Sequence, residues 1–121
     1  MTAVQTGDLL APVLFGRDGA GDGEFFEPLA TENGVRVERI VSEGHVSPEG
    51  FWYDQEEWEW VAVLQGSAKL EFEGHGVLSL TSGRWVLIPA HVRHRVIETS
   101  ASPQCVWLAV FGENIRMPQN K

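Results

Sequence analysis

Gly83-Arg-Trp-Val-Leu-Ile-Pro-Ala-His91-Val-Arg-His94 is a glycine turn, an apolar run stopped by proline, and two histidines three residues apart. The four apolar residues Trp85 to Ile88, bounded by glycine and proline, have the length and flanks of a buried β-strand. Histidines just past such a strand stand where a fold can aim them into a cavity, and imidazole is the side chain best suited to metals and proton transfer. The other reading of the pair is structural, with one histidine capping the strand and its neighbour in solvent, because two ligands alone do not make a metal site.

Outward from this stretch the pattern stays β. Val35 to Val41 alternates apolar and charged residues, which predicts one buried face and one wet face. Further strands are expected at Glu59 to Leu64, Ala68 to Phe72, Val77 to Leu80, Trp85 to Ile88, His94 to Ile97 and Cys105 to Phe111, each closed by a turn containing glycine, proline or serine. Short, evenly spaced strands with no helical periodicity predict a single all-β domain, an antiparallel sandwich or barrel, over residues 35–113. Residues 1–34 are expected to form an arm packed on it. That arm holds an apolar patch from Leu9 to Phe15, a loop from Gly16 to Gly23, and a helical turn or irregular segment from Glu24 to Leu29. The tail, 114–121, is expected to fray or to lie on a neighbouring subunit.

Upstream, Phe51-Trp-Tyr-Asp-Gln-Glu-Glu-Trp-Glu-Trp-Val-Ala-Val-Leu-Gln-Gly66 also ends in a strand and a glycine turn. Together the two segments resemble the paired motifs of the cupin superfamily, over roughly residues 35–111. In the second motif Gly83, Pro89 and His94 match, and His91 replaces the internal glycine. In the first, Glu59 and Gly66 match, but its two histidines are missing; their places fall on Trp52 and Asp54, or on Tyr53 and Gln55, depending on the spacing chosen. Arg84 stands where cupins often carry aspartate. A wider likeness, to small bacterial single-domain cupins reading FWYDQ…EW…VLQG…IPAHVRHRV, spans most of the chain.

The resemblance implies an antiparallel jelly-roll barrel with Glu59 and His94 close together near its mouth, in the positions of two metal ligands. Zinc, iron, manganese or nickel would suit a carboxylate with one or two imidazoles, and Asp54, Gln55 or His91 could complete the shell. Lost first-motif histidines weigh against oxygenase chemistry in particular. Cupins also pair through their sheets, which implies a homodimer.

If His94 points inward, alternation sends Val96 and Glu98 inward and Arg93, Arg95 and Ile97 outward. Glu59 inward takes Val61 and Val63 with it and leaves Trp58, Trp60 and Ala62 on the other face. A strand apolar on both faces belongs mid-sandwich or against another subunit. Trp52, Tyr53, Trp58 and Trp60 bracket the proposed ligands and could line a pocket or bury an interface. Trp85 and Trp107 are read as core, His75 as an exposed hairpin tip, His45 as a loop residue, and Glu56 and Glu57 as a solvated turn.

Composition narrows the partners. A net charge of −8 with nine Lys and Arg in 121 residues argues against nucleic acid. The chain carries no apolar run of membrane-spanning length and no secretion signal, so a cytoplasmic protein is expected. Cys105, the single cysteine, sits in an apolar run and reads as a core residue, not a nucleophile. Three functions remain open: a metal-dependent enzyme of isomerase, lyase or dioxygenase type acting on a small molecule, a metal-free small-molecule-binding or sensor protein, and a dimeric partner for other proteins. No catalytic residue is assigned.

Overall fold

The computed structural model describes residues 3–16, 23–116 and 118. Eight strands follow one another: β1 (Glu24–Glu32), β2 (Val35–Ser42), β3 (Trp58–Gln65), β4 (Ser67–Phe72), β5 (Gly76–Thr81), β6 (Trp85–Ile88), β7 (His94–Thr99) and β8 (Cys105–Gly112). They form a five-stranded sheet in the order β1-β2-β8-β3-β6 and a three-stranded sheet in the order β5-β4-β7, antiparallel throughout. This is the all-β jelly roll that strand spacing and motifs predict. No helix among the described residues is long and apolar enough to cross a membrane.

The core lies between the sheets. Ile40, Val61, Val63, Trp107 and Phe111 of the larger sheet meet Ala68, Leu70, Leu80 and Val96 of the smaller, each large side chain contributing about 1.5–3 kcal/mol by leaving water. The Trp107 indole N–H donates to Ser42 Oγ at 3.1 Å, so the buried ring leaves no donor unsatisfied. Cys105 is fully buried, and burial pushes its thiol pKa up to about 12, which makes it the inert core residue expected.

β1 is the strand that alternation does not reveal. Glu24 to Leu29 is neither a helical turn nor irregular: it is the first part of an edge strand paired with β2. Pro28 is tolerated there because one side of an edge strand needs no ladder partner, and the register shifts between Pro28 and Ala30. Buried Arg39 pairs with Glu27 at 2.7 Å and donates to the Ala11 carbonyl at 2.7 Å. Gln104 accepts from the Val13 N–H at 3.1 Å and donates back to its carbonyl at 2.6 Å. Between them these two side chains hold the apolar patch Leu9 to Phe15 against the outer face of the larger sheet. Most of the loop expected over 16–23, and residues 117 and 119–121 of the tail, lie outside the described residues.

Glu98, Trp85 and His45 depart from expectation. Glu98 does not follow His94 and Val96 inward: the ladder to β4 pairs Leu70 with Val96 but Lys69 with Glu98, so the extra residue Ile97 turns Glu98 out to Lys69 at 3.0 Å. Trp85 is 57% exposed because β6 is the edge of its sheet and its outer face is open. His45 is a loop residue, yet buried, with Nε2 3.4 Å from Glu24 Oε2.

The loop carrying His45 closes the free edge of β7. Ser47 N–H donates to the Val96 carbonyl at 2.8 Å, Thr99 Oγ1 to the His45 carbonyl at 2.7 Å, and Tyr53 and His94 exchange backbone bonds at 2.7 and 3.1 Å. Residues 44–53 thus cover an edge that would otherwise offer unpaired backbone groups, and they deliver the next residues to the barrel mouth.

Both motif glycines hold left-handed backbone, Gly66 at φ 80° and Gly83 at φ 91°, but only Gly66 is also enclosed. A Cβ there would lie 2.9 Å from the Gln104 carbonyl oxygen and 3.0 Å from Cys105 Cα, whereas one on Gly83 meets nothing within 4 Å. Gly83→Ala should therefore cost about 1–2 kcal/mol from backbone strain alone, and Gly66→Ala about 3–4 kcal/mol, because backbone must also move. Urea unfolding of the two variants measures this, and equal losses would show that the enclosure of Gly66 is immaterial.

Candidate functional site

A cavity of about 300 Å³ opens between the sheets. Its apolar wall is Ile40, Val61, Leu70, Val96, Trp107 and Phe111, and Glu24, Arg36, Glu38, Tyr53, Gln55, Glu59 and His94 supply its polar groups. Glu59 reaches it from the middle of the larger sheet, where β3 pairs with both β8 and β6. His94 reaches it from the smaller sheet as the first residue of β7.

The turn before His94 explains the motif. Val92 N–H donates to the Pro89 carbonyl at 3.2 Å, which makes Pro89 to Val92 a β-turn with His91 at its third position, φ 64°. That conformation favours glycine, and His91 occupies it at a cost of about 1–2 kcal/mol, held by its N–H bond to the Gln55 carbonyl at 2.7 Å. Its ring turns away from the cavity to Asp54, Nδ1 to Oδ1 2.7 Å, and both side chains are largely exposed.

His94 is oriented on every side. Nδ1 donates to the Val92 carbonyl at 2.9 Å, which leaves Nε2 facing Glu59 Oε1 at 3.6 Å. Tyr53 stacks on the ring at 5.4 Å between centroids, and Phe72 flanks it at 6.1 Å. Burial opposes the imidazolium, but Glu59 and the Val92 carbonyl outweigh it, and the His94 pKa is raised above its ordinary value. Both side chains are almost wholly enclosed, at 6% and 11% exposure.

Arg36 is committed to carboxylates. Its Nε donates to Glu38 Oε2 at 2.8 Å, its Nη1 pairs with Glu57, and its guanidinium lies 4.2 Å from the Phe111 ring centroid. Burial opposes its charge, yet Glu57 and Glu38 prevail and raise its pKa. Glu57 is thus a half-buried ion-pair partner and not a solvated turn residue. Arg36, Glu38 and Glu24 are cavity residues that sequence reading missed. On β2 the face expected to be wet, with Arg36 and Glu38, is the one that looks into the cavity.

Of the residues singled out from sequence, the structure brings Tyr53, Gln55, Glu59 and His94 together at the cavity. Asp54 and His91 pair with each other outside it. The guanidiniums of Arg93 and Arg95 each lie 5.8 Å from a Trp52 ring centroid. Trp58 is half-buried on β3 without lining the cavity. Trp60 faces outward, 5.9 Å from Trp85, in an apolar groove with Leu87 and Val110.

Of the two pairs that fall at the first-motif histidine positions, Tyr53 and Gln55 line the cavity, and Trp52 and Asp54 do not. Phenol and carboxamide are weak donors for zinc, iron, manganese or nickel. Among the described residues no three His, Cys, Asp or Glu side chains converge on one point. One carboxylate and one imidazole do not fit the three-ligand shell that the expected transition metal needs.

The raised His94 pKa carries a pH signature. Stability from protonating His94 is fully present below its unfolded value of about 6.5 and is lost as the pH rises through the higher folded value. Titration of the His94 ring by NMR should give a pKa above about 6.5 in the native protein and below it in Glu59→Gln, where burial outweighs the Val92 carbonyl that remains. An unchanged value in the variant would remove Glu59 as the cause.

The model of the cupin domain matches residues 38–111, more than half of the chain. A candidate mannose-6-phosphate isomerase of Ralstonia eutropha JMP134 is 44% identical, with TM-score 0.81 over 91% of this chain and 99% of that one. RmlC-like cupins of Desulfovibrio desulfuricans and Methanocaldococcus jannaschii are 16% and 18% identical, with TM-scores of 0.69 and 0.61, covering 93% and 88% of this chain and 100% and 93% of theirs, a likeness of fold alone. No curated protein sequence gives a significant match. With its motif glycines, its barrel and the span of these matches in agreement, the chain belongs to the cupin family.

Proposed function

We propose that the cavity binds a small polar molecule and that Glu59 and His94 act on it as a proton-transfer pair. The carrying observation is their geometry: a carboxylate and an imidazole 3.6 Å apart, from opposite sheets, enclosed in the same cavity. With Nδ1–H held by the Val92 carbonyl, only Nε2 of His94 exchanges a proton with whatever lies beside Glu59. Glu59 takes a proton as base while His94 Nε2–H gives one as acid, and the raised His94 pKa favours that acid form. The apolar wall excludes water and strengthens both interactions.

Migration of a proton between adjacent carbons needs one base and one acid within reach of the same substrate. An isomerase activity is therefore the reaction class that this pair serves most directly, and the name borne by the 44% identical relative agrees in class. The metal-dependent reading expected from the family enters only as an outcome of the test.

The experiment is solvent exchange. Purified protein is incubated in D₂O with a panel of aldoses, ketoses and amino sugars, and deuterium beside the carbonyl is followed by NMR. The wild type should exchange at least one of them, and Glu59→Gln and His94→Asn should each lose about 10²–10⁴-fold. Chelator-treated wild type should retain the rate. Loss on chelation, restored by one added metal ion, would replace this reading with the metal-dependent one, and no exchange on any compound would leave a binding protein without this chemistry.

A further inference from the structure

We infer that the outer face of the larger sheet, over β8, β3 and β6, is a contact surface for a second copy of this chain. Trp60, Trp85, Leu87, Leu108 and Val110 point outward there, because their strand neighbours Val61, Val86, Ile88, Trp107 and Ala109 pack into the core. Trp60 and Trp85 lie with ring centroids 5.9 Å apart in an apolar groove, and Trp85 is 57% exposed.

Charge sets this face apart. The outer face of the smaller sheet carries ion pairs, Lys69 to Glu98 at 3.0 Å and Arg95 to Glu71 at 3.9 Å, as a surface kept in water does. On the larger sheet the outward carboxylate of Glu27 is bound by Arg39, under the arm. Among the described residues lining the groove, Arg116 is the one charged side chain. At a net charge of −8, two copies repel each other wherever their acidic surfaces meet, and this face lets them meet without opposing carboxylates. A different protein is chosen largely through complementary charge, of which this face offers little. A two-fold contact asks only that the face match itself, and contacts between identical subunits are the more apolar kind.

The open edge at β1 is guarded by contrast. Pro28 lacks a donor, and two antiparallel copies of β1 centred on it would set Glu24 against Glu32. Extent agrees with the face. Strands β8, β3 and β6 offer on the order of 300 Å² in plan at ordinary strand spacing and rise, the size at which an exposed apolar patch marks an interaction site. Exposed Leu10 and Leu14 of the arm, on the same side of the sheet, extend it toward the roughly 800 Å² that each partner in a stable dimer buries.

Sedimentation of the full chain between about 1 and 100 μM at neutral pH is the test. The wild type should be a dimer at the upper concentration. Trp85→Glu and Leu87→Glu, each checked for native strand content by circular dichroism, should weaken it at least about 100-fold, because each sets a carboxylate against an apolar face. Val77→Glu, at a 55% exposed position on β5 of the other sheet, should dimerise as the wild type does. Hydroxyl-radical footprinting of the wild-type dimer needs no variant: Trp85 should be protected to the level of Trp107, which is 4% exposed. A wild type that is monomeric at about 100 μM would overturn the inference and leave the face to a different protein. A dimer that survives both Trp85→Glu and Leu87→Glu, that is lost in Val77→Glu, or that leaves Trp85 reactive would overturn it by placing the contact on another face.

Discussion

The site depends on one ion pair strung between two sheets. Glu59 is fixed by the ladders of β3 with β8 and β6, and His94 by its backbone bonds to Tyr53 and the turn that precedes it. Their approach to 3.6 Å follows from backbone register more than from mutual attraction. This matters energetically, because taking a carboxylate and an imidazolium out of water costs several kcal/mol each, and the attraction between them repays it only in part. The surrounding apolar packing has to carry that burden, with buried Val61 and Val63 beyond Glu59 on β3 and Ile88 and Phe111 paired with it on the flanking strands.

The strands were legible because each is short, bounded by turn residues, and buried on at least one face. What escaped was everything set by partners distant in sequence. Pro28 breaks the look of a strand, yet β1 forms because β2 offers it a full ladder. Glu98 obeys alternation only until a bulge at Ile97, and nothing local announces a bulge. Trp85 is as apolar as Trp107, but one lies on an edge strand and the other at the centre of its sheet. His45 looks like any loop histidine until Glu24, brought near by β1, buries against it.

The candidate site was half legible for the same reason. Glu59 and His94 stand at motif positions, and their convergence follows from the fold. Arg36 and Glu38 do not, because a charged face on an amphipathic strand ordinarily means solvent; here the jelly roll turns that face into the cavity. Glu57 was likewise read as solvated, and its role appears only once Arg36 is known to lie across from it.

The altered first motif ties these points together. Alternation along Trp52 to Gln55 puts Tyr53 and Gln55 at the cavity, so the residues standing for two metal-binding histidines are neutral groups. With those histidines would go two strong nitrogen donors and the means of holding a cation at the mouth. What stays is the carboxylate that a metal would have neutralised, joined by Glu24 and Glu38. A cavity that keeps Glu59 and His94 and carries a phenol and a carboxamide beside them presents one carboxylate, one imidazole and two neutral hydrogen-bonding groups to whatever enters.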